Sequence, residues 1–163
     1  MTSLKKMETD QQICCPKFDP AAWDGKEITW DGKLFVKDRV LGVFHIPLNF
    51  GQVVARNMEK IEKAGAKNLD NLMISDENSM WGSDVYIAVD KDVPGAEMIR
   101  ISGTFLAKVF EGQYKEMGKW ISEMGEFIRS KGKTANSLYF YYTTCPKCAK
   151  LYGKNYVVLL AEV

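Results

Sequence analysis

The sequence predicts an α+β fold: two strand–helix–strand–strand modules forming one antiparallel curved sheet, with two helices on one face and a ligand groove on the other. Three observations lead there. Two amphipathic helical stripes lie in different halves of the chain, each follows a short strand-like run, and each leads back to a strand rich in tyrosine or aliphatic residues. At 163 residues, 46% hydrophobic and 26% charged, the chain has the balance of a soluble protein that builds a core without covalent staples.

Residues 1–12 are polar and predicted to be loose. Cys14-Cys15-Pro16-Lys17-Phe18-Asp19-Pro20 is irregular, because two prolines remove backbone donors and restrict the residues before them. Glu27-Ile28-Thr29-Trp30 and Lys33-Leu34-Phe35-Val36 flank Asp31-Gly32. That dipeptide takes the positive φ values of a tight primed turn, which predicts a hairpin over 27–36. Residues 1–38 are thus read as an N-terminal extension.

The first module spans about residues 39–95. Arg39 to His45 reads as a short strand, and a helix over 51–64 follows, with Asn49 as N-cap and Val53, Val54, Met58 and Ile61 as its apolar stripe. Gly65 stops it. Residues 67–83 read as a polar loop with a short strand, Asp84–Val89 as a strand, and Asp92-Val93-Pro94-Gly95 as a turn. The second module spans about 96–163. Strands over 98–101 and 103–111 are broken near Gly103. A helix over 114–130 presents Met117, Trp120, Ile121, Met124, Phe127 and Ile128 on one face. Leu138–Thr143 and Asn155–Val163 are the remaining strands.

The halves match each other when Val43-Phe44-His45 is set against Val109-Phe110-Glu111 and Tyr86 against Tyr139. The alternative is chance likeness between two ordinary strand–helix–strand units. Alternation assigns the faces. Val85, Ile87 and Val89 suit the helix side, as do Leu138, Phe140 and Tyr142; Tyr86, Ala88, Tyr139 and Tyr141 face the groove. The competing placement packs these tyrosines under the N-terminal hairpin.

Lys plus Arg number 22 and Asp plus Glu 21, for a net charge of +1. The basic excess of a nucleic-acid binder is missing, so no nucleic-acid partner is expected. No apolar run is long enough to span a membrane, and the first ten residues lack the apolar segment of a signal peptide. The expected setting is the cytoplasm, and the expected partner a small molecule.

Gly103-Thr104-Phe105-Leu106-Ala107-Lys108-Val109-Phe110-Glu111-Gly112-Gln113-Tyr114, followed by Gly118, Trp120 and Ile121, resembles the GyrI-like small-molecule-binding family. The resemblance runs from about Arg39 to Val163 and implies the duplicated fold, with a hydrophobic ligand in a central groove between the modules. It also implies kinship with a subset that hydrolyses the strained cyclopropane ring of DNA-alkylating compounds. Where such proteins carry a groove carboxylate this chain has Phe140, and residues 13–38 have no counterpart. Trp23 and Trp30 of that extension are placed to cover one end of the groove.

Tyr86, Tyr139, Tyr141, Trp81 and Phe105 are therefore the candidate ligand-stacking residues, with His45 and Tyr114 beside them. Glu111, before the Gly112 turn, is the candidate acid/base for ring opening, and Glu162 a weaker one. Each also reads as an ordinary solvated carboxylate. His45 is the only histidine, and a structural role suits it as well as a catalytic one. Cys145-Pro146-Lys147-Cys148 is a Cys-x-x-Cys motif, and with Cys14 and Cys15 it could hold a structural zinc. Free thiols and a disulfide or redox pair stay open. No cofactor is required by any motif.

Overall fold

The structure, a computed structural model, describes residues 17–43, 46–79, 81–143 and 146–163. Its strands are β1 (Glu27–Val43), β2 (Ile46–Pro47), β3 (Asn68–Ser79), β4 (Gly82–Val89), β5 (Glu97–Glu111), β6 (Ser137–Tyr142) and β7 (Tyr156–Glu162). The helices are α1 (Phe50–Lys63), α2 (Met117–Ser130) and α3 (Pro146–Tyr152), with 3-10 turns at Pro20–Ala22 and Tyr114–Glu116.

All pairings are antiparallel, and six of the strands close on themselves in the circular order β1-β4-β3-β6-β7-β5. The sheet is thus a closed barrel rather than the open curved sheet expected. Closure comes from β1, whose early residues pair with β5 (Glu27↔Leu106 to Lys37↔Glu97) and whose later ones pair with β4 (Phe35↔Ala88 to Leu41↔Gly82). The second seam is short, Ile74↔Tyr141 and Ser75↔Phe140 between β3 and β6.

The Asp31-Gly32 hairpin does not form. Gly32 has φ +63° inside a continuous β1, and the register against β5 shifts between Trp30 and Lys33. A β-bulge needs the same positive φ as a primed turn, so the dipeptide fits either. Here β5 runs beside both arms and keeps the strand going. Opposite the bulge, Gly103 at φ +149° lets β5 bend without interruption, so the two strands expected over 98–111 are one. Residues 68–79, expected as mostly loop, form a full strand. The match of Tyr86 with Tyr139 shifts too: after each helix the first strand is β3 or β6, so the β6 tyrosine corresponds in order to β3 and not to β4.

Alternation sorts the side chains into an inside and an outside. Phe35, Leu72, Ile74, Tyr86, Ala88, Ile101, Phe105, Ala107, Tyr141, Val158 and Leu160 fill the barrel. Outside, α2 lays Trp120, Met124 and Ile128 on Leu106, Phe110, Phe140, Val157 and Leu159. Helix α1 lays Ile61 against Val36, Ile87 and Val89, and Val53 against Val40 and Val85. Asn49 is the N-cap residue of α1, its carbonyl accepting from the Val53 N–H at 3.0 Å, but its side chain makes no capping bond. Its Oδ1 accepts from the Leu41 backbone N–H at 2.7 Å, tying the helix start to β1. Asp38 joins the same two elements. It accepts from Arg56 Nε and from Arg56 NH2, both at 2.9 Å, and from Asn57 Nδ2 at 2.7 Å.

Candidate functional site

Residues 17–26 form a strap across one end of the barrel. Asp19 Oδ1 accepts from the Ala21 N–H at 3.1 Å and starts the 3-10 turn, which delivers Trp23. The strap is then stitched to β5: Val109 N–H donates to Asp24 Oδ1 at 3.1 Å, Gly25 N–H to the Ala107 carbonyl at 2.9 Å, and Ala107 N–H to the Lys26 carbonyl at 2.9 Å. Its two rings reach Tyr141. Phe18 meets Tyr141 edge-on, with centroids 6.0 Å apart, and Trp23 lies 5.3 Å from the same ring.

Between strap and barrel is a cleft of about 450 Å³. Its walls are Phe18, Trp23, Ile28, Trp30 and Tyr141, and its polar groups are Lys17, Asp19, Asp70, Asn71 and Thr143. Trp30 is held by Phe105 at 4.6 Å and Phe35 at 5.6 Å. Thr143 is buried and donates its hydroxyl to the Tyr156 carbonyl at 2.8 Å. Asp70 and Asn71 sit on a bulge in β3 with φ +54° and +51°, a left-handed conformation that Asn and Asp tolerate better than other non-glycine residues. The Asn68 amide fixes that bulge, donating to the Leu72 carbonyl at 3.2 Å and to the Ala88 carbonyl at 2.8 Å.

Behind the cleft the aromatic side chains run on through the barrel. Trp30 touches Phe105, Phe105 lies 6.2 Å from Tyr139, Tyr139 5.9 Å from Tyr86, and Tyr86 6.3 Å from Phe35. Burial, reinforced by the charges of Asp84 and Asp76 and by Tyr139, pushes the Tyr86 phenol up to about 12. Burial also raises Tyr139, with Asp76 and Glu162 adding to it against the Ser137 hydrogen bond. Both phenols therefore stay neutral at physiological pH.

Four of the residues expected at the site come together. Tyr86, Tyr139, Tyr141 and Phe105 share the barrel interior, but Phe105 is wholly buried and only Tyr141 lines the cleft. The expected central groove is filled by these packed rings. The space lies at the strap end instead. Trp81 is 59% exposed in the β3–β4 turn. Glu111 is exposed at the end of β5, outside the cleft lining. His45, the Tyr114 side chain, Cys14, Cys15 and Cys145 lie outside the described residues. Cys148 is buried on α3. Among the described residues no group of three or more His, Cys, Asp or Glu side chains is placed to hold a metal ion. None of the described helices is long and apolar enough to cross a membrane. Sequence reasoning anticipated that Trp23 and Trp30 would cover one end. It missed Phe18, Asp70, Asn71 and Thr143, which no local pattern connects.

The bacterial hydrolase family model matches residues 5–163. The chain belongs to that family. Its fold is similar to that of a hydrolase from Listeria innocua (TM-score 0.59, 15% identity, 97% of each chain covered) and of an uncharacterised conserved protein from the same organism (TM-score 0.60, 14% identity, 96% of this chain and 97% of that one). It is also similar to the protein chain of an EcmrR–DNA complex (TM-score 0.65, 9% identity), of which 62% is covered by 99% of this chain. At these identities the likeness is one of fold. A search of curated proteins finds no match to the chain.

Proposed function

We propose that the protein binds a hydrophobic or aromatic small molecule in the cleft between the strap and the barrel. The observation that carries this reading is an indole-walled space of about 450 Å³, within the size range of small-molecule sites, in which aromatic faces and polar groups line the same cleft. Trp23, Trp30 and Tyr141 supply stacking area. Tyr86, Tyr139 and Phe105 support them as a floor, and Trp81 is peripheral. The GyrI-like reading of the chain accords with this use. Exchanging β1 with β5, β4 with β7 and β3 with β6 leaves the six barrel pairings unchanged, as an ancestral duplication would. The test is tryptophan fluorescence against a panel of planar aromatic compounds. Saturable quenching that is lost in Trp23→Ala supports the reading, and inertness to the whole panel refutes it.

Hydrolysis is the second reading, favoured by the family to which the chain belongs. It takes the bound molecule to be a strained electrophile of the DNA-alkylating kind and Glu111 to be the acid or base that opens it. A solvent-exposed Glu111 requires the reacting ring to project beyond the cleft. Turnover of a cyclopropane-bearing substrate that disappears in Glu111→Gln supports this reading. Turnover that survives the substitution removes Glu111 from the chemistry.

A further inference from the structure

The cleft has two kinds of wall, and their combination narrows what it accepts. Trp23 and Trp30 line it, and so does the Asp70–Asn71 bulge. Indole faces accept any flat ring system. The bulge is more selective. A carboxylate brings acceptors only, whereas a carboxamide brings both donors and an acceptor. Together they complement a ligand edge that alternates donors and acceptors. A hydrocarbon ring would leave them facing apolar surface without partners, which is costly where water is displaced.

The backbone adds a second, independent argument. Two successive residues are held left-handed, at φ +54° and +51°, a conformation that glycine adopts without steric penalty. The chain spends the Asn68 amide on locking this arrangement through the Leu72 and Ala88 carbonyls. Polar side chains kept at positions better suited to glycine, and fixed from behind, are positioned groups.

From these walls we infer that the cleft recognises a planar nitrogen heterocycle, stacked by Trp23 and Trp30 and read along its edge by Asp70 and Asn71. This rests on the small-molecule reading above and names its ligand class. Asn71 is then a specificity-determining residue, distinct from the aromatic residues that supply general affinity.

The probes are 2-aminopurine, which is flat, fluorescent and has a donor–acceptor edge, and naphthalene, which matches it in shape without that edge. In the full chain 2-aminopurine is expected to bind saturably, with its emission quenched by stacking, and at least roughly tenfold more tightly than naphthalene. Asn71→Gly is expected to weaken 2-aminopurine roughly tenfold or more while leaving naphthalene unchanged. Its melting temperature should equal or exceed that of the parent, because glycine relieves the left-handed backbone. A purely structural Asn71 would move stability and not selectivity. Asn71→Asp, which keeps size and left-handed tolerance but removes the amide donors, should weaken 2-aminopurine in the same direction. If naphthalene binds as well as 2-aminopurine, or if both variants keep the parent's preference, the heterocycle inference falls and the small-molecule reading stands. If neither probe nor any panel compound binds, both fall.

Discussion

The Tyr86 phenol offers the sharpest test of how tightly the barrel interior is packed. Its residue is 6% exposed, and burial with neighbouring negative charge moves its titration from the usual 10.0 to about 12. The raised value means that the folded state keeps a proton which the unfolded chain releases first. The stabilisation is fully present below pH 10 and is lost as pH rises towards 12. At pH 11 the unfolded phenol is mostly ionised and the folded one mostly neutral, so the loss is about 1.4 kcal/mol, as an upper value that solvent screening reduces. The assay is urea unfolding at pH 8, 9, 10 and 11, followed by far-UV circular dichroism, for the parent and for Tyr86→Phe. Phe cannot ionise, so the stability difference between the two proteins should shift in favour of Phe as the pH rises. Titration of other tyrosines is common to both and cancels to first order. Parallel curves across this range would refute the claim that the Tyr86 hydroxyl is shielded within the aromatic cluster.

Other expectations come from single contacts. Burial works to raise the Asp38 carboxyl, but hydrogen bonds from Asn57, the Arg39 backbone and Arg56, with the Arg56 charge, hold it below its usual 3.8. That stabilisation is present above the unfolded value and is lost as pH falls through the folded one, so acid unfolding monitored by circular dichroism should begin at higher pH when Arg56 is replaced by Met. Asp38→Ala should cost about 1–2 kcal/mol in denaturant unfolding, because it removes the carboxylate that Arg56 and the buried Asn57 amide donate to, leaving Asn57 only its bond to the Val53 carbonyl. Gly82→Ala places a Cβ 2.5 Å from the Val40 carbonyl, and the necessary shift of paired strands should lower stability by about 1–3 kcal/mol in the same assay. Phe105→Ala empties the centre of the barrel beside Trp30 and should cost about 3–5 kcal/mol, accompanied by a change in tryptophan emission.

The faces of the sheet were legible in the sequence because alternation is a local property. Val85, Ile87 and Val89 lie under α1 while Tyr86 and Ala88 point inwards; Phe140 lies under α2 while Tyr139 and Tyr141 point inwards. The same local logic located α1 and α2 to within a few residues, but not the short α3. It failed at β3, where Leu72 and Ile74 face the barrel and Met73 packs towards α1. With apolar residues on both faces the period of two disappears, and the polar Asp70-Asn71 bulge interrupts what is left. It failed again at Asp31-Gly32, for a different reason. Positive φ was read correctly there, yet a turn and a bulge impose the same local demand. The choice between them is made by residues 97–106, some seventy positions away, which pair with both sides of Gly32.

That single long-range choice also decides where a ligand can go. Had β1 folded back as a hairpin, Trp30 would have capped a groove from outside, and Tyr86 and Phe105 would have remained its open floor. Because β1 continues and pairs with both β4 and β5, Trp30 enters the barrel and rests on Phe105 and Phe35. The central space is consumed by side-chain packing, and what remains lies where the strands stop pairing and the strap crosses. Aromatic composition was therefore a sound guide to the chemistry of the interior and a poor guide to its vacancy. Whether rings line a cavity or fill it depends on closure of the sheet, and closure is set by backbone pairing between distant segments.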